Sequence, residues 1–279
     1  MNFDHLLPFQ DLVRILKFFG LWKIESSRKT YFFYSFCLHV VLIELFIFLQ
    51  VVCLLETNNL NDFSTVIAIL PTCLAILVKS KQFAFNSHLI EDMFVMIEEI
   101  LDLDKVSEQF ITRSKKVEKY FKICFMFGMV VCCLVILGPI TTHKLPYIMW
   151  FPFTYEDDNF MFWLAAIYQV VISFYLTSID LVFYTFPLVF IIYIFGMLEQ
   201  LSMKVEKLKR NKTLNSDGSI DKLAQLECSQ QFIKIITCHQ KILELTKKVE
   251  HFFSVCLLCS GLQSTMVICT SSFLMTEVR

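Results

Sequence analysis

The chain has 279 residues, a formal net charge of −1, a hydrophobic fraction of 56% and a mean hydropathy of +0.60. Thirty phenylalanines against six glycines and six prolines favour helices in lipid over a soluble sheet protein. The near-neutral charge gives no reason to expect a nucleic-acid partner. Most of the eleven cysteines lie inside apolar runs, where cysteine behaves as a small hydrophobe.

The head of the chain, residues 1–30, is polar and mildly basic and shows no signal-peptide cleavage site. Leu12, Ile15, Leu16 and Phe19 follow helical spacing. The pattern predicts a short helix, which either lies along the membrane surface or packs on protein.

Three apolar runs follow, and we expect each to cross the membrane once. The first, 31–55, carries Glu44 near its middle. A carboxylate there faces either a neighbouring helix or a permeation or ligand path. The second and third runs are 63–79 and 120–140, and the charged segment 80–119 between them has the spacing of amphipathic helices.

A loop at 141–159, rich in prolines and aromatics, suits the membrane–water interface. It precedes the longest apolar run, 160–198, thirty-nine residues with one charge, Asp180. As a helix this run would reach about 58 Å, whereas a bilayer core is about 30 Å thick. The run is therefore long enough for one crossing with an extension, or for two crossings.

The basic residues decide between these readings, because lysine and arginine accumulate on cytoplasmic loops. Segments 1–30, 79–122 and 199–250 carry five, eight and ten of them, and the loop 141–159 carries one. The strongly basic segments all lie on one side of the membrane, and the loop 141–159 on the other, only if 160–198 crosses once. The resulting prediction is a cytoplasmic N-terminus with spans at 31–55 (TM1), 63–79 (TM2), 120–140 (TM3), 160–182 (TM4) and 250–275 (TM5).

The predicted fold class is all-α, a multi-pass transmembrane bundle in the plasma membrane with helices extending into the cytoplasm. The extension comprises 183–249, and its apolar start at 183–198 requires cover from other protein. Residues 276–279 end the chain outside. The sequon Asn211–Thr213 is then cytoplasmic and should not be glycosylated.

No cluster of residues indicates catalysis or a metal site. Cys256 and Cys259 form a CxxC inside an apolar helix without a second pair, and Cys238-His239 has no partner pair at ligand spacing. We therefore expect no enzyme, no cofactor and no metal.

The outer halves of the spans and the loop between TM3 and TM4 are the candidate site. Aromatic and aliphatic walls with a few polar groups suit a small apolar ligand, although helix–helix or lipid packing explains the same composition. The candidate ligand-binding residues are Ile67, Leu70, Cys133, Ile136, Leu137, Tyr147, Trp150, Phe162 and Tyr168.

Several segments resemble the insect odorant receptor family, and their order covers essentially the whole chain. The quoted motifs are Leu16-Lys-Phe-Phe-Gly-Leu-Trp22, Leu145-Pro-Tyr-Ile-Met-Trp-Phe-Pro-Phe153, Tyr168-Gln169, Ser178-Ile-Asp180, Cys238-His-Gln-Lys-Ile-Leu243, Val249-Glu-His-Phe-Phe-Ser254 and Ser264 to Phe273. The inverted topology also agrees with that family.

The resemblance implies a seven-helix subunit of a ligand-gated cation channel, assembled as a hetero-tetramer with the odorant co-receptor. It implies that a small volatile ligand binds among the outer halves of the second, third, fourth and sixth helices. It further implies that 183–198 and 219–249 belong to a cytoplasmic anchor for assembly.

The sequence departs from the family by ending after the fifth span, so TM6 and TM7 are absent and we expect a partial form. Three alternatives remain open at this stage. They are a gustatory-type receptor subunit, a G-protein-coupled receptor with an external N-terminus, and a non-conducting truncated membrane scaffold.

Overall fold

The protein is a bundle of long helices in the computed structural model, which describes residues 7–22, 29–103, 108–154, 159–214 and 222–277. No strand occurs within those ranges, so the all-α prediction is confirmed. The elements are α1 (Leu7–Phe18), α2 (Lys29–His39), a π-helical turn (Val40–Glu44), α3 (Leu45–Glu56), α4 (Leu60–Leu103), α5 (Glu108–Thr141), α6 (Asn159–Leu214) and α7 (Lys222–Glu277).

Five helical stretches of the described chain are long and apolar enough to cross a membrane. Each overlaps one of the five spans predicted from the sequence. The stretches are Lys29–Glu56, Asp62–Leu101, Lys115–Thr141, Asn159–Lys209 and Cys228–Phe273.

The long apolar run lies within the single helix α6, which continues from Asn159 to Leu214. An unbroken helix has no turn at which the chain could reverse, and two crossings would need one. The helix therefore favours a single crossing with an extension. The sequence Asn215-Ser-Asp-Gly218 predicts a turn after α6, and these residues lie outside the described ranges.

The extension of α6 is covered on one face by phenylalanines from α4 and α7. Phe83 lies 4.7 Å from Phe183 between ring centroids, and Phe94 stacks on Phe190 at 5.8 Å with an interplanar angle of 11°. Phe253 of α7 lies 5.8 Å from Phe190. Each fully buried phenylalanine contributes about 1.5–3 kcal/mol. This aromatic core explains how so apolar a helix can continue past Asp180.

Helix α1 packs on protein, which was one of the two readings left open for the head of the chain. Leu12 and Leu16 are fully buried, and α1 contacts α5 and α6. The turn after α1 contains Gly20, whose φ of +72° is a conformation that residues with a Cβ rarely adopt. The Leu21 N–H donates to the Leu16 carbonyl at 2.8 Å across this turn.

Glu44 points towards a neighbouring helix, because its carboxylate lies 3.7 Å from Lys81 Nζ of α4. The two side chains are 45% and 56% exposed, respectively. Glu44 is the last residue of the π-helical turn Val40–Glu44, which shifts the register of the first span. No residue pattern in this segment indicates that turn.

Candidate functional site

The loop before α6 folds back onto the bundle through paired backbone and side-chain bonds. The Tyr147 N–H donates to Gln169 Oε1 at 3.0 Å, and Gln169 Nε2 donates to the Tyr147 carbonyl at 2.9 Å. The Trp150 N–H donates more weakly to the Leu49 carbonyl at 3.4 Å. Because Gln169 is fully buried, this pairing fixes the loop against α6, and the Trp150 contact joins it to α3.

A small apolar cluster lies beneath this loop, separate from the aromatic core. Its buried members come from α3, α4, the loop and α6, and three candidate residues pack against it: Tyr147, Trp150 and Tyr168. Aromatic walls with a few hydroxyl and amide groups suit a small apolar ligand. The buried members are Phe46, Leu49, Cys73, Met149 and Ile172.

Two tyrosine hydroxyls supply polar groups at the edge of the cluster. The Tyr168 hydroxyl donates to the Val41 carbonyl in the π-helical turn at 3.1 Å. The Tyr147 hydroxyl lies 3.2 Å from Ser173 Oγ. Burial is the main cause that raises the pKa of Tyr147, so this group stays neutral at physiological pH.

The other six candidate residues are more scattered. Phe162 is buried, with its ring centroid 5.3 Å from that of His143, and Ile136 is buried as well. Leu137 is 52% exposed, so its side chain faces away from the described bundle. The remaining three are partly buried: Ile67, Leu70 and Cys133. Their role in binding stays a prediction.

Gln50 is a polar residue that the sequence reasoning missed. Its side chain is fully buried in α3, and neither amide atom has a hydrogen-bond partner within the part of the chain that the structure describes. A buried amide without partners is costly. Its position in the sequence could have identified it, because Gln50 is the one polar residue in the apolar stretch between Glu44 and Glu56.

An ion pair with a fully buried lysine was also missed, at the predicted inner ends of TM2 and TM4. Lys79 Nζ of α4 donates to Asp180 Oδ1 of α6 at 2.9 Å and to Gln263 Oε1 of α7 at 3.2 Å. Gln263 Nε2 closes the ring by donating to Asp180 Oδ2 at 3.3 Å. The Lys79 side chain is fully buried, and its Nζ lies 4.5 Å from the ring centroid of Tyr184. These three side chains join three helices at one level.

The described residues contain no group of three or more histidine, cysteine, aspartate or glutamate side chains placed to hold a metal ion. Aromatic and apolar side chains with neutral hydroxyls and amides can bind a small ligand non-covalently and orient it.

The fold is similar to that of solved insect olfactory receptors. The structure of OR5 from Machilis hrabei matches with a TM-score of 0.73 and 19% identity, over 95% of this chain and 70% of that one. The structure of OR5 in complex with eugenol matches with a TM-score of 0.72 and 18% identity, over 99% and 72%.

Sequence comparison points to the same family. Odorant receptor Or1 of Anopheles gambiae is 22% identical over 165 residues, which are 56% of this chain and 40% of Or1. The aligned part thus spans less than half of that relative's length. A family model described as 7tm Odorant receptor matches residues 59–279. This multi-pass membrane protein therefore belongs to the 7tm odorant receptor family.

Proposed function

We propose that this chain is the odorant-binding subunit of a ligand-gated cation channel that assembles with the odorant co-receptor. The observation that carries the proposal is the family match over residues 59–279. The subunit would lie in the plasma membrane with a cytoplasmic N-terminus, as the distribution of lysine and arginine indicates. It would act by binding and gating, without enzymatic chemistry.

The ligand class we propose is a small, largely apolar volatile molecule. The apolar cluster beneath the loop offers aromatic side chains from Tyr147, Trp150 and Tyr168 with only a few polar atoms. One of the similar solved structures holds eugenol, which supports a small-molecule ligand here as well. We place the ligand at the predicted outer half of the bundle, among the candidate residues other than Leu137, whose side chain faces outwards.

The test is to express this chain with the co-receptor and record cation currents during application of a broad panel of volatiles. An odour-evoked current that requires both chains is expected. Silence across the panel, with both chains present at the cell surface, would contradict the proposal. Co-purification of the two chains without any current would indicate a non-conducting scaffold instead.

Two variants localise the ligand within the same recording. Trp150→Ala removes an indole that packs on the apolar cluster, and we expect the half-maximal odorant concentration to rise about tenfold or more. Phe195→Ala is the control, because that aromatic ring is 66% exposed on the extension of α6 and is not one of the candidate residues. Equal shifts for both variants would place the ligand elsewhere.

A further inference from the structure

A stripe of lysines runs along the first turns of α5, before its apolar stretch. Lys115, Lys119 and Lys122 follow one another at helical spacing of four and three residues, so they share one face. The stripe extends about 10 Å along the helix axis. All three side chains are exposed, and with Glu118, Ile123 and Met126 they line a shallow groove of about 460 Å³.

The groove keeps an excess of positive charge after its internal pairs are counted. Lys122 Nζ lies 2.6 Å from Glu118 Oε1 and 3.0 Å from Asp11 Oδ2 of α1. Asp11 is also 3.5 Å from Arg14, whose side chain is 75% exposed. Within the described part of the chain, Lys115 and Lys119 form no ion pair. Of the three lysines that line the groove, Lys122 is therefore paired with carboxylates, whereas Lys115 and Lys119 are uncompensated.

The same face becomes apolar immediately beyond the lysines. Ile123 and Met126 are 53% and 64% exposed and belong to the groove. In the most apolar 18-residue segment of α5, only 11% of the residues are buried. In the corresponding segment of α6, 56% are buried. An exposed apolar face that begins with a positively charged end is suited to contact lipid chains and their headgroups together.

We propose that this groove on the exposed face of α5 binds the headgroup of an anionic phospholipid. Lys115 and Lys119 would contact the phosphate oxygens, while Ile123 and Met126 contact the first methylenes of the acyl chains. Lys122 is already held by Asp11 and Glu118, and its role is to fix α1 beside the groove. The continuous apolar surface is the reason to assign a lipid rather than a free phosphate.

Native mass spectrometry of the purified chain in neutral detergent tests the proposal. The chain is titrated with phosphatidylglycerol and, separately, with phosphatidylcholine of the same acyl chains. We expect tighter binding of the first phosphatidylglycerol, and the double variant Lys115→Gln, Lys119→Gln should weaken that binding about fivefold or more. Lys115→Arg, Lys119→Arg should retain the preference, since it keeps both charges.

The control Lys207→Gln, Lys234→Gln removes the same charge from exposed positions on α6 and α7 and should change the affinity less than twofold. Equal weakening by both glutamine pairs, or no preference for phosphatidylglycerol, would overturn the proposal. Displacement of the lipid by soluble glycerol phosphate at equal concentration would assign the groove to free phosphate instead. The assay needs neither odorant nor co-receptor, so its failure is separate from a failure of the proposed function.

Discussion

Lys79 is the residue on which the junction of α4, α6 and α7 depends. Replacing it by methionine, which has similar length, leaves the Asp180 carboxylate inside the bundle without its cation. An uncompensated buried charge is strongly destabilising. We expect Lys79→Met to lower the free energy of unfolding by about 3 kcal/mol or more. Thermal unfolding of the purified chain, followed by size-exclusion chromatography, measures the loss.

The control for Lys79 is a second lysine on the same helix. Lys81 lies 3.7 Å from Glu44, and both side chains are about half exposed. Because water screens such a pair, Lys81→Met should cost less than about 1 kcal/mol. The double variant Lys79→Met, Asp180→Leu should recover part of the lost stability, because it removes both charges together. Equal effects of the two single variants would show that Lys79 is not specially placed.

Gly20 holds a backbone conformation that depends on its missing side chain. A Cβ there would lie 2.9 Å from the backbone Cα of Ser35, and φ is +72°. We expect Gly20→Ala to reduce stability by about 1–2 kcal/mol in the same thermal assay. Gly138→Ala is the matched control, since nothing lies within 4 Å of its Cβ position in α5. That control should be neutral or slightly stabilising, by less than about 1 kcal/mol.

At the scale of elements, Gln169 joins the loop between α5 and α6 to α6 through two hydrogen bonds to Tyr147. Gln169→Leu would leave the Tyr147 N–H and carbonyl unpaired, at about 1–3 kcal/mol for each buried group. We expect hydrogen exchange at the Tyr147 amide to accelerate about tenfold or more. Thr141→Val, which removes an exposed bond to the Gly138 carbonyl, should leave that exchange unchanged. An unaltered rate in the Gln169 variant would mean that other contacts hold the loop.

At the scale of the whole molecule, the distribution of charge makes a topological prediction. An epitope tag at residue 1 should stain only after permeabilisation of the cell, because segments 1–30, 79–122 and 199–250 hold most of the basic residues. A tag inserted in the loop 141–159 should stain without permeabilisation. The opposite pattern would favour the orientation of a G-protein-coupled receptor.

The helices themselves were largely predictable from the sequence. Apolar runs identify the spans because lipid leaves few alternatives to a helix, and Asp180 correctly stood out as the single charge in 160–198. Its partner Lys79 did not stand out, because it is 101 residues away in the sequence. Its position at the end of an apolar run also fits a lysine of the following cytoplasmic loop.

The candidate site was less predictable. Composition brought Tyr147, Trp150 and Tyr168 into one set, and the structure places all three on the cluster beneath the loop. The same reasoning included Leu137, which faces outwards, because composition does not fix the rotation of α5. In the first span, the π-helical turn at Val40–Glu44 changes the direction in which the following side chains point. Amino-acid composition does not reveal this turn.

The length of α6 gives the ion pair at Asp180 a mechanical consequence. The helix extends 21 residues from Asn159 to Asp180 and 34 residues from Asp180 to Leu214. At about 1.5 Å per residue, the two arms are roughly 32 and 51 Å long. If the ring formed by Lys79, Asp180 and Gln263 acts as a fulcrum, a tilt of the helix moves its inner end about 1.6 times as far as its outer end. If α6 tilts as a rigid rod, a displacement of about 1 Å at its outer end therefore corresponds to about 1.6 Å at its inner end.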